Sequence, residues 1–203
     1  MKRCIVFLLA LLLASASFAS TMAVNASAAL AGSFGLEITT DGNTDSVFVQ
    51  DDTPDGETTY RASFLLNPND LLFAVNKDKQ AIFKIIDTDD PTDKNWVRVQ
   101  LRRNGAGTLV MNLQVLNDNE QWRAVGETTV PFNTKEYVIE VQQGSPGIGR
   151  LWKNGSLKKE RLDQNMTERV VDRVRFGAPG AGEAATTGSY YLDEFASFRT
   201  LLP

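Results

Sequence analysis

From about residue 34 to the C-terminus the sequence keeps one habit: short runs in which apolar and polar residues alternate. In WVRVQLR, Val97, Val99 and Leu101 share one face, and Trp96, Arg98, Gln100 and Arg102 share the other. The next run sets Leu109, Met111, Leu113 and Val115 against Val110, Asn112, Gln114 and Leu116. In EYVIEVQ, Tyr137, Ile139 and Val141 oppose Val138, Glu140 and Gln142. A period of two is the signature of an antiparallel strand with one face buried. Roughly a dozen segments rich in Val, Ile, Phe and Tyr fit this description, and DGN, PDG and NGAG supply turns between them. Asn154-Gly155 is the favoured pair for a two-residue type I′ hairpin. Helical periodicity is nowhere sustained; single helical turns are expected near NPNDLL and LDQNMTERV. Strands in this number bury their apolar faces best as two sheets packed face to face, so the sequence predicts an all-β, two-sheet antiparallel sandwich.

The beginning of the chain reads differently. Lys2 and Arg3 precede an apolar run, CIVFLLALLLA, too short to span a bilayer, and Ser17 and Ala19 stand at signal-peptidase spacing. A secretory signal peptide is expected over 1–19, a short lead-in over 20–32 and one domain over 33–203. The expected location is secreted, periplasmic or cell-surface, with no membrane insertion after cleavage. Cys4 is the only cysteine, so the mature chain has none. An exported domain without disulfides depends on a sizeable core or on a metal.

Histidine is absent altogether. That removes Ser-His-Asp and Cys-His nucleophiles, histidine general bases and every metal site built on nitrogen or sulfur. Formal charge is −4; without Lys2 and Arg3 the basic count falls from 21 to 19 against 25 acids, giving −6. This balance opposes binding to nucleic acid or anionic lipid.

ALAGSFGLEI, VQDDTPDGETTYRASFLLNPN, LWKNGSL, VDRVRFGA and the closing YYLDEFASFR, in that order, resemble the concanavalin A-like lectin/glucanase superfamily. More narrowly they are similar to LamG-type jelly rolls of exported bacterial proteins. The resemblance implies a concanavalin A-like jelly roll with a concave sheet suited to glycans and one structural calcium between the chain ends. The retaining glucanases of this fold carry Glu-x-Asp-x-x-Glu on one strand, and alginate-lyase-like members use a histidine; this sequence has neither. A non-catalytic module is therefore expected, with carbohydrate or an envelope protein as partner. The alternatives are a structural or protein-contact domain with no small ligand, and an atypical glycan-cleaving enzyme.

The candidate ligand face is Trp96, Arg98, Gln100 and Arg102 beside Asn112 and Gln114. A ring stacks on sugar C–H faces, while planar guanidinium and amide groups bond hydroxyls or carboxylates, the arginines favouring an acidic glycan. The competing reading is an ordinary solvated sheet face. Trp152 is expected in the core and Trp122 at a rim. Asp193 is conspicuous because alternation places it on one face with Tyr191 and Phe195. It is expected to accept backbone N–H bonds, to pair with Arg173, Arg175 or Arg199, or to bind calcium with help from Asp51 and Asp52. The acidic run Asp87, Asp89, Asp90 and Asp93 departs from the calcium-loop pattern at Pro91 and reads as a solvated hairpin tip.

Overall fold

A computed structural model describes residues 20–42, 45–74, 78–90, 92–180 and 186–202. The expected signal peptide, 1–19, lies outside the described residues. Among those described there are fourteen strands and no helix. They are β1 (Thr21–Asn25), β2 (Gly35–Asp41), β3 (Val47–Asp51), β4 (Thr59–Asn67), β5 (Leu72–Phe73), β6 (Lys79–Asp87) and β7 (Lys94–Arg103). The second half adds β8 (Leu109–Leu116), β9 (Trp122–Thr129), β10 (Lys135–Gln142), β11 (Gly144–Lys153), β12 (Ser156–Met166), β13 (Arg173–Ala178) and β14 (Thr186–Phe198).

One sheet has the order β1-β2-β14-β4-β10-β11-β12, with β5 also pairing β14; the other runs β3-β13-β6-β7-β8-β9. The two antiparallel sheets form the sandwich that the alternation predicts. Their inner faces supply one core in which Ile38, Phe64, Leu66, Phe83, Val97, Leu101, Met111 and Tyr190 are at most 1% exposed. Burial of each such side chain stabilises the fold by about 1.5–3 kcal/mol. Phe176 packs against Phe64 and Phe195, with centroid distances of 5.2 and 4.8 Å. The buried Tyr190 hydroxyl donates to the Gly177 carbonyl at 2.8 Å. The Asn154-Gly155 hairpin is present, both residues taking the positive φ that a type I′ turn needs (48° and 70°).

Three expectations change. The lead-in contains β1, which pairs with β2 from Thr21↔Thr39 to Asn25↔Gly35. The stretch expected to turn helical at LDQNMTERV is strand as far as Met166, because the hairpin commits β12 to pairing with β11. At NPNDLL there is a turn, closed by the Leu71 N–H on the Pro68 carbonyl at 2.8 Å.

A bulge explains the carboxylate between rings. Register on β4 shifts between Asp193 and Ala196, and Glu194 has φ 50°. One extra residue turns the side chains over. Tyr190 and Leu192 therefore face the core before the bulge and Phe195 packs on it afterwards, while Asp193 stays outside. Asp193 never shares a face with Phe195.

Aspartates tie the loops down. Asp193 accepts the backbone N–H groups of Leu30 at 2.8 Å, Ala31 at 2.9 Å and Glu194 at 2.8 Å. Asp172 binds the N–H groups of Gly56 and Thr88, Asp118 that of Thr167, and Asp70 that of Ser189. Asp87 accepts from Asp89 and Asp90 and is 3% exposed, so the acidic hairpin is not simply a solvated tip. The bonds from Asp193 to Leu30 and Ala31, and those of Asp172, Asp118 and Asp70, join segments far apart in sequence without a covalent link.

Candidate functional site on the six-stranded sheet

The outer face of the six-stranded sheet is built by register. Gln50 on β3 lies opposite Arg175 on β13, Arg175 opposite Lys84 on β6, Lys84 opposite Arg98 on β7, and Arg98 opposite Gln114 on β8. Strand spacing of about 4.8 Å makes this a row of planar and cationic groups. The guanidinium of Arg98 lies 3.8 Å from the Trp122 ring centroid, and its Nε donates to Gln114 Oε1 at 2.6 Å. Arg175 repeats the arrangement: 4.7 Å from the Phe48 centroid, with Nε donating to Gln50 Oε1 at 2.8 Å. Each arginine is thus held by a ring and an amide.

Lys84 stands between them. Burial lowers its pKa, and the charges of Arg175 and Arg98 lower it further. Burial also lowers that of Arg98. Like charges directly opposite on neighbouring strands destabilise a sheet by about 0.2–1 kcal/mol per pair. Two other arginines of this sheet are paired with acids. Arg173 binds Asp52 at 2.5 Å and Asp93 at 3.1 Å, and Arg102 pairs with Glu127.

The six residues expected to form the ligand face are not equally accessible. Trp96 is 1% exposed, and its indole N–H donates to the Val170 carbonyl at 2.6 Å. It is the extra residue of a bulge in β7, between Asn95 opposite Ile86 and Val97 opposite Ile85, and belongs to the core, so its ring is not available to stack on a sugar. Gln100 is 7% and Asn112 is 3% exposed, the latter bonded to Glu127 at 3.0 Å. Arg98, Gln114 and Arg102 remain partly exposed. The reachable part of the face lies nearer β13, β6 and β7. Lys84, Arg175, Phe48 and Gln50 belong to it, and none was singled out as a ligand residue from sequence. The outward Lys84 in AIFKIID was the available signal, but its neighbour Arg175 is set by pairing remote in sequence.

Trp122 is half-buried beneath Arg98 rather than free at a rim. Trp152 is not in the core; it is half-buried on the outer side of the eight-stranded sheet, where its indole donates to Glu140 at 2.8 Å. Glu140 is fully covered and also accepts the Leu202 N–H.

The carboxylates expected to hold calcium do not fit it. Burial raises the pKa of Asp193, but the N–H groups of Ala31, Leu30 and Glu194 outweigh it and hold the value below the ordinary one. Those donors point their positive ends at both oxygens, where a cation would have to sit. Asp51 accepts the Thr53 N–H, and Asp52 is engaged by Arg173 and Gln50. Among the described residues no group of three or more Asp, Glu, His or Cys side chains is placed to hold a metal. Of the protein partners expected for Asp193, backbone N–H groups are those present; Arg173, Arg175 and Arg199 bind Asp52, Gln50 and Glu57 instead.

No family model and no curated protein matches this sequence. Solved structures do. An endo-β-1,4-glucuronan lyase from the fungus Trichoderma reesei superimposes with a TM-score of 0.66 at 14% identity, over 89% of this chain and 87% of that one. The cellulose-induced protein Cip1 gives 0.63 at 14% identity, over 89% and 86%. A botulinum neurotoxin type G receptor-binding domain gives 0.59 at 14% identity, over 93% of this chain and 45% of that one. Such likeness shows the fold: the chain is a two-sheet sandwich of the jelly-roll type, consistent with the concanavalin A-like resemblance.

Proposed function

We propose that the protein is an exported, non-catalytic module that binds carbohydrate through the outer face of its six-stranded sheet. One observation carries this reading. Arg98 and Arg175 are each fixed between an aromatic ring and a glutamine amide, leaving oriented donors on a partly exposed face. Preorganised planar donors recognise hydroxyls and carboxylates with little loss of side-chain freedom. The rings serve the arginines, so recognition is polar rather than by stacking. A glucuronan lyase and a receptor-binding domain share the sandwich, which is compatible with a carbohydrate or protein partner.

Catalysis is not part of the proposal. The chain lacks histidine, and the one carboxylate on β7, β8 and β9, Glu127, is tied to Arg102 and Asn112. A pair of free carboxylates for glycosidic cleavage is therefore not on this part of the face. Export is supported by the N-terminal signal pattern.

A glycan array with wild type and Arg98→Ala is the test. Specific signals lost in the variant support the module. A wild type silent on every glycan overturns it, and turnover of a polysaccharide panel would replace it with an enzyme. A protein-contact role draws on a different observation: Val24, Phe34 and Val49 are 70%, 63% and 46% exposed around one groove. Binding to an envelope protein that survives Arg98→Ala and is lost in Phe34→Ser would favour that second reading.

A further inference from the structure

The structure assigns an anion-binding subsite to the row Arg175–Lys84–Arg98, and we propose that its ligand is an acidic polysaccharide whose carboxylate or sulfate groups dock on Lys84. The assignment rests on the carbohydrate reading above and narrows it to a ligand class and a centre. Neither Lys84, Arg98 nor Arg175 has an ion pair among the described residues, although the chain has 25 acids against 21 basic residues. Several arginines elsewhere are paired with acids, Arg150 with Glu160, Arg169 with Glu120, Arg173 with Asp52 and Arg199 with Glu57. Arg61, Arg103 and Arg123, like this row without an ion pair among the described residues, do not stand beside two further cations across neighbouring strands. Three adjacent cations that form no ion pair among the described residues repel one another, and such a row lowers stability unless something anionic binds it.

The site is also shaped. Gln50 and Gln114 occupy the Nε donors of the two arginines, leaving their terminal nitrogens to a ligand. Gly180 packs beside the ammonium; a Cβ there would stand 2.7 Å from Lys84 Nζ, so glycine is what lets the backbone lie this close and hold the lysine in place. Burial and the two arginines disfavour the charged form of Lys84, and a bound anion would relieve both.

The row spans roughly 10 Å over three strands, which suits repeated charges along an extended chain better than one isolated ion. Nucleic acid fits poorly. Single strands bind through bases stacked on open rings, and here the Trp122 and Phe48 rings are capped by guanidinium groups. The negative net charge adds to that bias.

The test is titration calorimetry of wild type, Lys84→Met and Arg175→Gln against four probes: oligoglucuronate, dextran sulfate, neutral dextran and single-stranded DNA. The expected result is binding of one or both acidic glycans, weakened at least ten-fold in Lys84→Met, with a smaller salt dependence in the variant. The two acidic arms separate carboxylate from sulfate recognition. Thermal melts control for folding; Lys84→Met, which removes repulsion, should melt no lower than wild type, and Arg175→Gln, which also gives up its contacts with Phe48 and Gln50, is compared per folded molecule. Neutral dextran bound as well as the acidic glycans, with Lys84→Met unaffected, overturns the subsite and leaves carbohydrate binding intact. No binding to any glycan overturns both. Single-stranded DNA bound as tightly as the acidic glycans overturns the ligand class.

Discussion

Replacing Asp193 by alanine separates a hydrogen-bonded clamp from a metal site. Its carboxylate receives three backbone N–H groups at 2.8–2.9 Å, two from the loop before β2 and one from the bulge in β14. A bond to a charged acceptor contributes about 1.5–3 kcal/mol, and Asp193 is partly exposed, so water replaces some of each. The expected loss is about 2–3 kcal/mol, a fall in Tm of roughly 5–10 °C for a domain of this length. Asp193→Asn keeps one acceptor oxygen and should lose about half as much. Differential scanning fluorimetry with and without EDTA is the assay. Wild type and both variants should be insensitive to the chelator, and hydrogen exchange at Leu30 and Ala31 should accelerate in Asp193→Ala. A wild-type Tm that falls in EDTA, with the sensitivity gone in Asp193→Ala, would refute the clamp in favour of calcium.

Gly35→Ala should destabilise by about 3 kcal/mol, since a Cβ there lands on the Ala28 carbonyl oxygen and pushes away the loop that Asp193 holds; urea midpoints measure this. Trp96→Ala should lower stability by about 3–5 kcal/mol, and glycan affinity per folded molecule should be unchanged, as calorimetry on the folded fraction would show. Stability should fall in acid. Backbone and side-chain bonds from Ser189 hold Asp70 below its ordinary pKa, and the loop N–H groups do the same for Asp193 against the opposing effect of burial. Both contributions are complete above the unfolded value near 3.9 and vanish as pH falls through the lower folded values. Melts from pH 6 to pH 2 should follow that course, more shallowly in Asp70→Asn.

What sequence could reveal was local. Alternation in β7, β8 and β10 marked inward residues correctly, and Asn154-Gly155 announced its hairpin, because both signals lie within a few neighbouring residues. The face assigned to Phe195 failed because a one-residue bulge at Glu194 resets the period of two. Trp96 was expected in the open because strict alternation does not register the bulge in β7 that takes it into the core. Asp193 has partners 162 and 163 residues away. Arg98 was legible as an outward-facing residue, but the company of Lys84 and Arg175 depends on β13 inserting between β3 and β6, which no neighbouring residue encodes.

A ¹⁵N HSQC titration with oligoglucuronate tests the proposed binding face most directly. Shifts concentrated on β6, β7, β8 and β13, largest around Lys84, Arg98, Gln114 and Arg175, are the expected result. Shifts centred on the eight-stranded sheet, or none at saturating oligosaccharide, would contradict it.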